Sequence, residues 1–194
     1  MPPGQCGGCH RVPGTHVCVP YNQPEKTQSV GRPDPRPTNA YTMGVGETHM
    51  KFLHLADLHL GKRVNGFDML EDQRFILDQI LTLCDKHGVE AVVLAGDIYD
   101  TPVPPAAACT LLDWFLTQLA TRKIPVLAVS GNHDSAERLD FASGLLAEQG
   151  VYIAGRFTGA PRQVVLHDRH GAIEFTLLPF VRAATVRHYL PDAD

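Results

Sequence analysis

From residue 50 onward the chain alternates between two hydrophobic periods. Lys51-Phe52-Leu53-His54-Leu55-Ala56 is dense in apolar side chains and predicts a strand over 52–56. A loop follows, and then apolar residues recur at helical spacing. Leu77, Ile80, Leu81 and Cys84 share one face of a helix near 68–86, and Gly88 marks its stop. Glu90-Ala91-Val92-Val93-Leu94-Ala95 predicts the next strand. Pro104 and Pro105 open a second helix, a place proline tolerates because first-turn N–H groups have no partner within the helix. That helix runs to about Ala120, with Ala108, Leu111, Leu112, Phe115 and Leu119 on one face. A strand over 124–129, a helix near 136–149 stopping at Gly150, and a strand over 151–154 continue the alternation. Residues 163–166 and 172–178 predict a hairpin around His170-Gly171. Strands separated by helices imply βαβ units and a largely parallel sheet, so the fold class is α/β.

Residues 1–49 have neither period. More than half of the 15 prolines lie there, and such a stretch buries too little apolar surface to offset the entropy of ordering its backbone. It is expected to be a disordered extension, with Met50 the natural start of the folded part. Within it, Cys6-Gly7-Gly8-Cys9-His10 matches the C-x-x-C-H pattern of c-type haem attachment. Cys6, Cys9, His10, His16 and Cys18 are also zinc-type ligands. Both matches are read as chance in an unstructured tail. Cys84 and Cys109 fall in helices and are expected to be small buried apolar residues.

The 194 residues, 44% of them hydrophobic, suit one domain with room for a core. The net charge of −4 gives no basic signature for nucleic acid, although bound divalent cations can supply the positive charge a phosphate needs. No apolar run approaches the roughly 18 residues that cross a bilayer, and no secretory order opens the chain. A soluble cytoplasmic protein is expected, with no membrane association.

The candidate chemistry lies at three strand ends, the edge where open α/β sheets bind ligands. The first strand runs into Asp57-Leu58-His59, and residues i and i+2 of an extended segment point to one side. One carboxylate and one imidazole then reach one ion. The second ends in Gly96-Asp97-Ile98-Tyr99-Asp100, placing Asp97 at the mouth of the sheet, where it can bridge two ions. Gly96 lets the chain turn close to a ligand. Asp100 is a cap or brace. The third ends in Ser130-Gly131-Asn132-His133-Asp134, with Asn132 an oxygen ligand, His133 a proton donor or charge stabiliser, and Asp134 a group that can orient the His133 ring. Each piece alone also fits turn chemistry; three successive junctions on one edge point to a metal site. Phosphodiester hydrolysis needs a nucleophile at neutral pH and relief of charge, and two divalent ions about 3.5–4 Å apart meet both needs. Oxygen and imidazole donors suit Mn, Fe or Zn better than Mg.

In this order, D-x-H, G-D-x-x-D and G-N-H-D resemble the calcineurin-like metallophosphoesterases. Leu53-His54-Leu55-Ala56-Asp57-Leu58-His59-Leu60-Gly61, Glu71-Asp72-Gln73-Arg74-Phe75-Ile76-Leu77, Ala95–Thr101, Ser130–Ser135 and Leu178-Pro179-Phe180-Val181-Arg182 are similar to the SbcD-type nuclease branch. The resemblance implies an αββα sandwich, of which residues 50–194 would form an incomplete first half. It implies that Asp57 and His59 hold one ion, that Asp97 bridges, that Asn132 binds a second ion and that His133 assists cleavage. It further implies two divalent ions, most often Mn2+, a DNA substrate, an SbcC-like coiled-coil ATPase partner and a homodimer of the complete nuclease. A phosphatase or cyclic-nucleotide phosphodiesterase on the same scaffold is the alternative, as is an inactive fragment. The family adds three histidine ligands from later Gly-His and G-H-x-H segments, which do not occur before Asp194; His167, His170 and His188 are read as surface residues. The purified 194 residues are therefore expected to bind metal weakly and to cleave little DNA. Robust Mn2+-dependent cleavage of a labelled duplex by this chain would contradict that expectation.

Overall fold

The computed structural model describes residues 50–191 and, before them, two three-residue strands, β1 (Cys9–Arg11) and β2 (Cys18–Pro20). The remainder of the expected disordered extension, and the side chains of its C-x-x-C-H pattern, lie outside the described residues. From Met50 the order is β3 (Phe52–Leu55), a small hairpin of β4 (Arg63–Val64) and β5 (Phe67–Asp68), helix α1 (Leu70–His87), β6 (Ala91–Ala95) and α2 (Ala106–Thr121). Then come β7 (Val126–Val129), α3 (Ala136–Asp140), α4 (Ser143–Ala147), β8 (Val151–Ala154), the hairpin β9 (Arg162–Asp168) and β10 (Gly171–Leu177), and α5 (Ala183–Tyr189).

The main sheet has the order β1-β2-β3-β6-β7-β8, and its neighbours from β3 to β8 pair in parallel. Helical segments cross between successive strands, as the βαβ pattern requires. Side chains alternate across the pleat. Leu53, Leu55, Val92, Leu94, Val126, Ala128, Val151 and Ile153 pack with α1 and α2, around Leu77, Ile80, Leu81, Phe115 and Leu119. Ala91, Leu127 and Ala154 face the other way and meet Val164, Leu166 and Leu177 of the β9–β10 hairpin. Asp168 ties that hairpin down: its carboxylate accepts from His170 and Gly171 in the turn and from the Met50 N–H at the start of β3. On the helix side, the Arg74 guanidinium stacks 3.3 Å above the Trp114 ring and joins α1 to α2.

Three expectations need correction. The single helix near 136–149 is two short helices, broken where Ala142 takes a left-handed φ of +59°. The break follows from Asp140, whose carboxylate is drawn out of the helical line to accept from the Gly155 N–H and the Arg156 guanidinium. Cys109 is exposed, whereas Cys84 is buried with its thiol pushed up to about 11 by desolvation. Cys109 falls off the 108–111–112–115–119 stripe that α2 turns inward. The loop after β3 holds the β4–β5 hairpin, turned by Asn65-Gly66 with φ +51° and +86°. Asn-Gly favours such a turn, so that hairpin is readable from the residues alone.

Phe115 is fully buried at the centre of the helix-side core. Phe115→Ala is expected to cost about 3–5 kcal/mol, read as a lowered urea midpoint with unchanged slope. A loss below about 1 kcal/mol would mean that this core is not close-packed.

Candidate metal centre

β3 ends at Leu55, and the next residues leave the extended conformation. Asp57 and His59 have φ of +58° and +44°, and Asp97, at the corresponding place after β6, has +48°. The expected extended D-x-H geometry is therefore corrected. The reason is that the backbone stops pairing as a strand and follows the neighbouring loop instead. The Asp57 N–H donates to Gly96 O (3.2 Å), His59 N–H to Asp97 O (2.9 Å) and Leu60 N–H to Ile98 O (2.9 Å), while Asp100 N–H returns to Leu60 O (3.2 Å). Non-glycine residues with positive φ cost roughly 1–3 kcal/mol each, and this ladder over-determines them. Asp and His are among the residues that tolerate the left-handed region best.

The two loops bring the first-ion residues together by a different route from the expected one. Ligand-type atoms of Asp57, His59 and Asp97 lie within 4.8 Å of one another. His59 Nε2 is 3.8 Å from Asp57 Oδ1. A second cluster of the same tightness joins His59, Asp100 and His133. His59 Nδ1 lies 3.3 Å from Asp100 Oδ1, yet it is buried and makes no hydrogen bond. Buried polar atoms are nearly always satisfied, so an unpaired imidazole nitrogen among three carboxylates fits a cation-binding site. The donor set is carboxylate and imidazole, the mixture that suits Mn, Fe or Zn.

The third loop is anchored to the second. Asp134, expected to orient the His133 ring, is a backbone brace instead. Its Oδ2 accepts from Ile98 N–H (3.1 Å) and Gly131 N–H (2.8 Å), and its Oδ1 from Tyr99 N–H (2.8 Å). A carboxylate saturated by three amides satisfies groups that a turning loop would otherwise leave unpaired. The His133 ring is held by the Asp100 carbonyl, 2.9 Å from Nδ1. With Nδ1 donating to that oxygen, Nε2 is left facing outward. That hydrogen bond, followed by the nearby carboxylates of Asp97 and Asp100, raises the His133 imidazole above its ordinary value. The His133 N–H donates to Asp97 Oδ1 (2.9 Å), aiming the carboxylate.

Gly131 is where the second and third loops touch. A Cβ there would collide with the Asp97 carboxylate and backbone nitrogen. Gly96, expected to approach a ligand, packs against Gly131. Asn132 is exposed on the same loop, at the wall of a cavity of about 590 Å³ shared with Ser130, Arg156, Phe180 and Arg182. Asp100, foreseen only as a cap or brace, stands among the ligand-type groups, with the Lys62 ammonium 3.8 Å from its Oδ1. His167, His170 and His188 are exposed, as expected.

Asp134→Asn puts an amide N–H against two backbone donors. It is expected to lower unfolding free energy by at least about 2 kcal/mol, measured by urea denaturation. Unchanged stability would show that the three amides do not depend on the carboxylate.

A Calcineurin-like phosphoesterase family model matches residues 50–189. The SbcD subunit of the nuclease SbcCD from Staphylococcus epidermidis is 37% identical over 144 residues, which make up 74% of this chain and 37% of that protein. The chain thus spans well under half the length of that relative. The family match runs from the residue before β3 to the last residue of α5 and takes in all three loops of the centre, and the chain belongs to the calcineurin-like phosphoesterase family.

Proposed function

We propose that this chain carries the N-terminal metal-binding half of a metal-dependent DNA nuclease of the SbcD type. The observation that carries the reading is the convergence of Asp57, His59 and Asp97 at the carboxyl edge of a parallel sheet. Asp57 and His59 would hold one divalent ion, Asp97 would bridge to a second, and Asn132 would contribute to that second ion. Such ions supply a nucleophile at neutral pH and withdraw charge from the phosphate.

The residues themselves divide the remaining work. The Asp97 carboxylate is aimed by the His133 amide, so the bridging group cannot swing away. His133 presents Nε2 outward while Asp100 O fixes its ring, which suits a donor that protonates or stabilises the leaving oxygen. The upward displacement of its imidazole keeps a proton available at neutral pH; a divalent cation beside it would act in the opposite sense. DNA is favoured over a small phosphate because the relative that aligns over most of the chain is named a nuclease subunit. The same likeness supports manganese as the metal, an SbcC-like ATPase as partner in DNA end processing, a dimeric nuclease and a cytoplasmic setting. Among the described residues no helix is long and apolar enough to cross a membrane.

In protein isolated from its native source and supplied with Mn2+, a DNA hairpin should be cleaved and an aryl phosphate left largely intact. The reverse preference would replace the nuclease reading with a phosphatase one. In the same assay His133→Asn is expected to abolish cleavage, about 10²-fold or more, while Mn2+ binding persists. Loss of Mn2+ with the activity would make His133 a ligand.

A further inference from the structure

Helix α1 reaches the metal centre through one side chain. Gln73 lies in its first turns, half-buried, and commits its whole amide to the turn that follows Asp57. Its Oε1 accepts from the Gly61 N–H (3.0 Å), and its Nε2 donates to the carbonyls of Leu58 (3.2 Å) and His59 (2.7 Å). The amide orientation follows from the partners, since the opposite one would set oxygen against two carbonyls and nitrogen against an N–H.

These bonds act on His59 in a specific way. The torsions φ and ψ of His59 are the rotations of the two peptide planes that flank it. The first plane contains Leu58 C=O and His59 N–H; the second contains His59 C=O and Leu60 N–H. Gln73 holds the carbonyl end of both planes. The loop after β6 holds the amide end of both, through Asp97 O and Ile98 O. Each plane is pinned at both ends, and His59 is thereby kept at φ +44°, a conformation it would otherwise leave. The turn is closed on its far side by Gly61, whose φ is +86° and where a Cβ would press on Pro105 and Ala108 of the α2 start. Nothing else on α1 makes a hydrogen bond to this turn among the described residues.

We propose that Gln73 is a positioning residue for the metal centre: it sets the direction of the His59 imidazole by clamping both peptide planes around it. This role rests on the metal-binding reading above. Partners of this kind, one step behind a ligand, typically change metal affinity 10- to 100-fold when removed.

The test is Mn2+ affinity of the 194-residue chain, followed by the electron paramagnetic resonance signal of free Mn2+, beside urea unfolding. Gln73→Met keeps length and apolar contact but removes all three bonds; Gln73→Glu keeps an acceptor for Gly61 and loses both donations. Ile76→Ala, one turn along and packed on the same core, serves as the structural control. Both Gln73 variants should bind Mn2+ about 10-fold or more weakly than wild type. Ile76→Ala should lose stability with its Mn2+ affinity unchanged. Wild-type affinity in Gln73→Glu, or in a folded Gln73→Met, would overturn the role while leaving the metal reading intact. Affinity falling in step with stability across all three variants would also overturn it. A folded wild-type chain that takes up no Mn2+ would sink the metal reading and this role together.

Discussion

The centre depends on one carboxylate that never needs to touch a metal. Asp134 accepts three backbone N–H groups, two from the loop after β6 and one from its own loop. Turning loops leave amides without partners, and a loop edge buried without them is costly. By saturating these amides, Asp134 fixes the spacing between Asp97 and His133. The His133 N–H then aims the Asp97 carboxylate, and the bare Cα of Gly131 leaves room for it. The remaining ligand-type residues reach the same point because the β3 loop is zipped onto the β6 loop.

The site is thus a stack of three loops, each held by the next, on an ordinary parallel sheet. The sheet supplies position: β3, β6 and β7 lie side by side, so their carboxyl ends stand in a row. The loops supply direction, and in doing so hold three acidic or imidazole residues at positive φ. Strain at those positions is tolerated because backbone bonds hold both ends of the segment. Metal-ligand geometry is demanding, and rigid support behind the ligands is the usual way to meet it.

Much of this is legible from residue patterns. The apolar period of α1 and α2 names the buried residues one by one, from Leu77 to Leu119. The strand ends name Asp57, His59 and Asp97. What periodicity does not carry is the use to which a polar side chain is put. Asp134 beside His133 reads as a ring partner, yet its oxygens meet amides from a loop 35 residues away in sequence. Asp140 breaks a helix because Gly155 and Arg156 lie across the fold. Gln73 looks like a surface residue of an amphipathic helix, and its three bonds exist only once the turn after Asp57 has folded under α1. The Asn65-Gly66 turn is the opposite case, with a signal that is local and explicit.

The most direct test of the metal centre is a crystal of this chain grown with Mn2+, with diffraction recorded at the manganese absorption edge. The predicted result is an anomalous peak bonded to Asp57, His59 and Asp97, with any second peak about 3.5–4 Å away on the Asn132 side of Asp97. Manganese bound elsewhere, with these three side chains free of it in ordered density, would contradict the assignment.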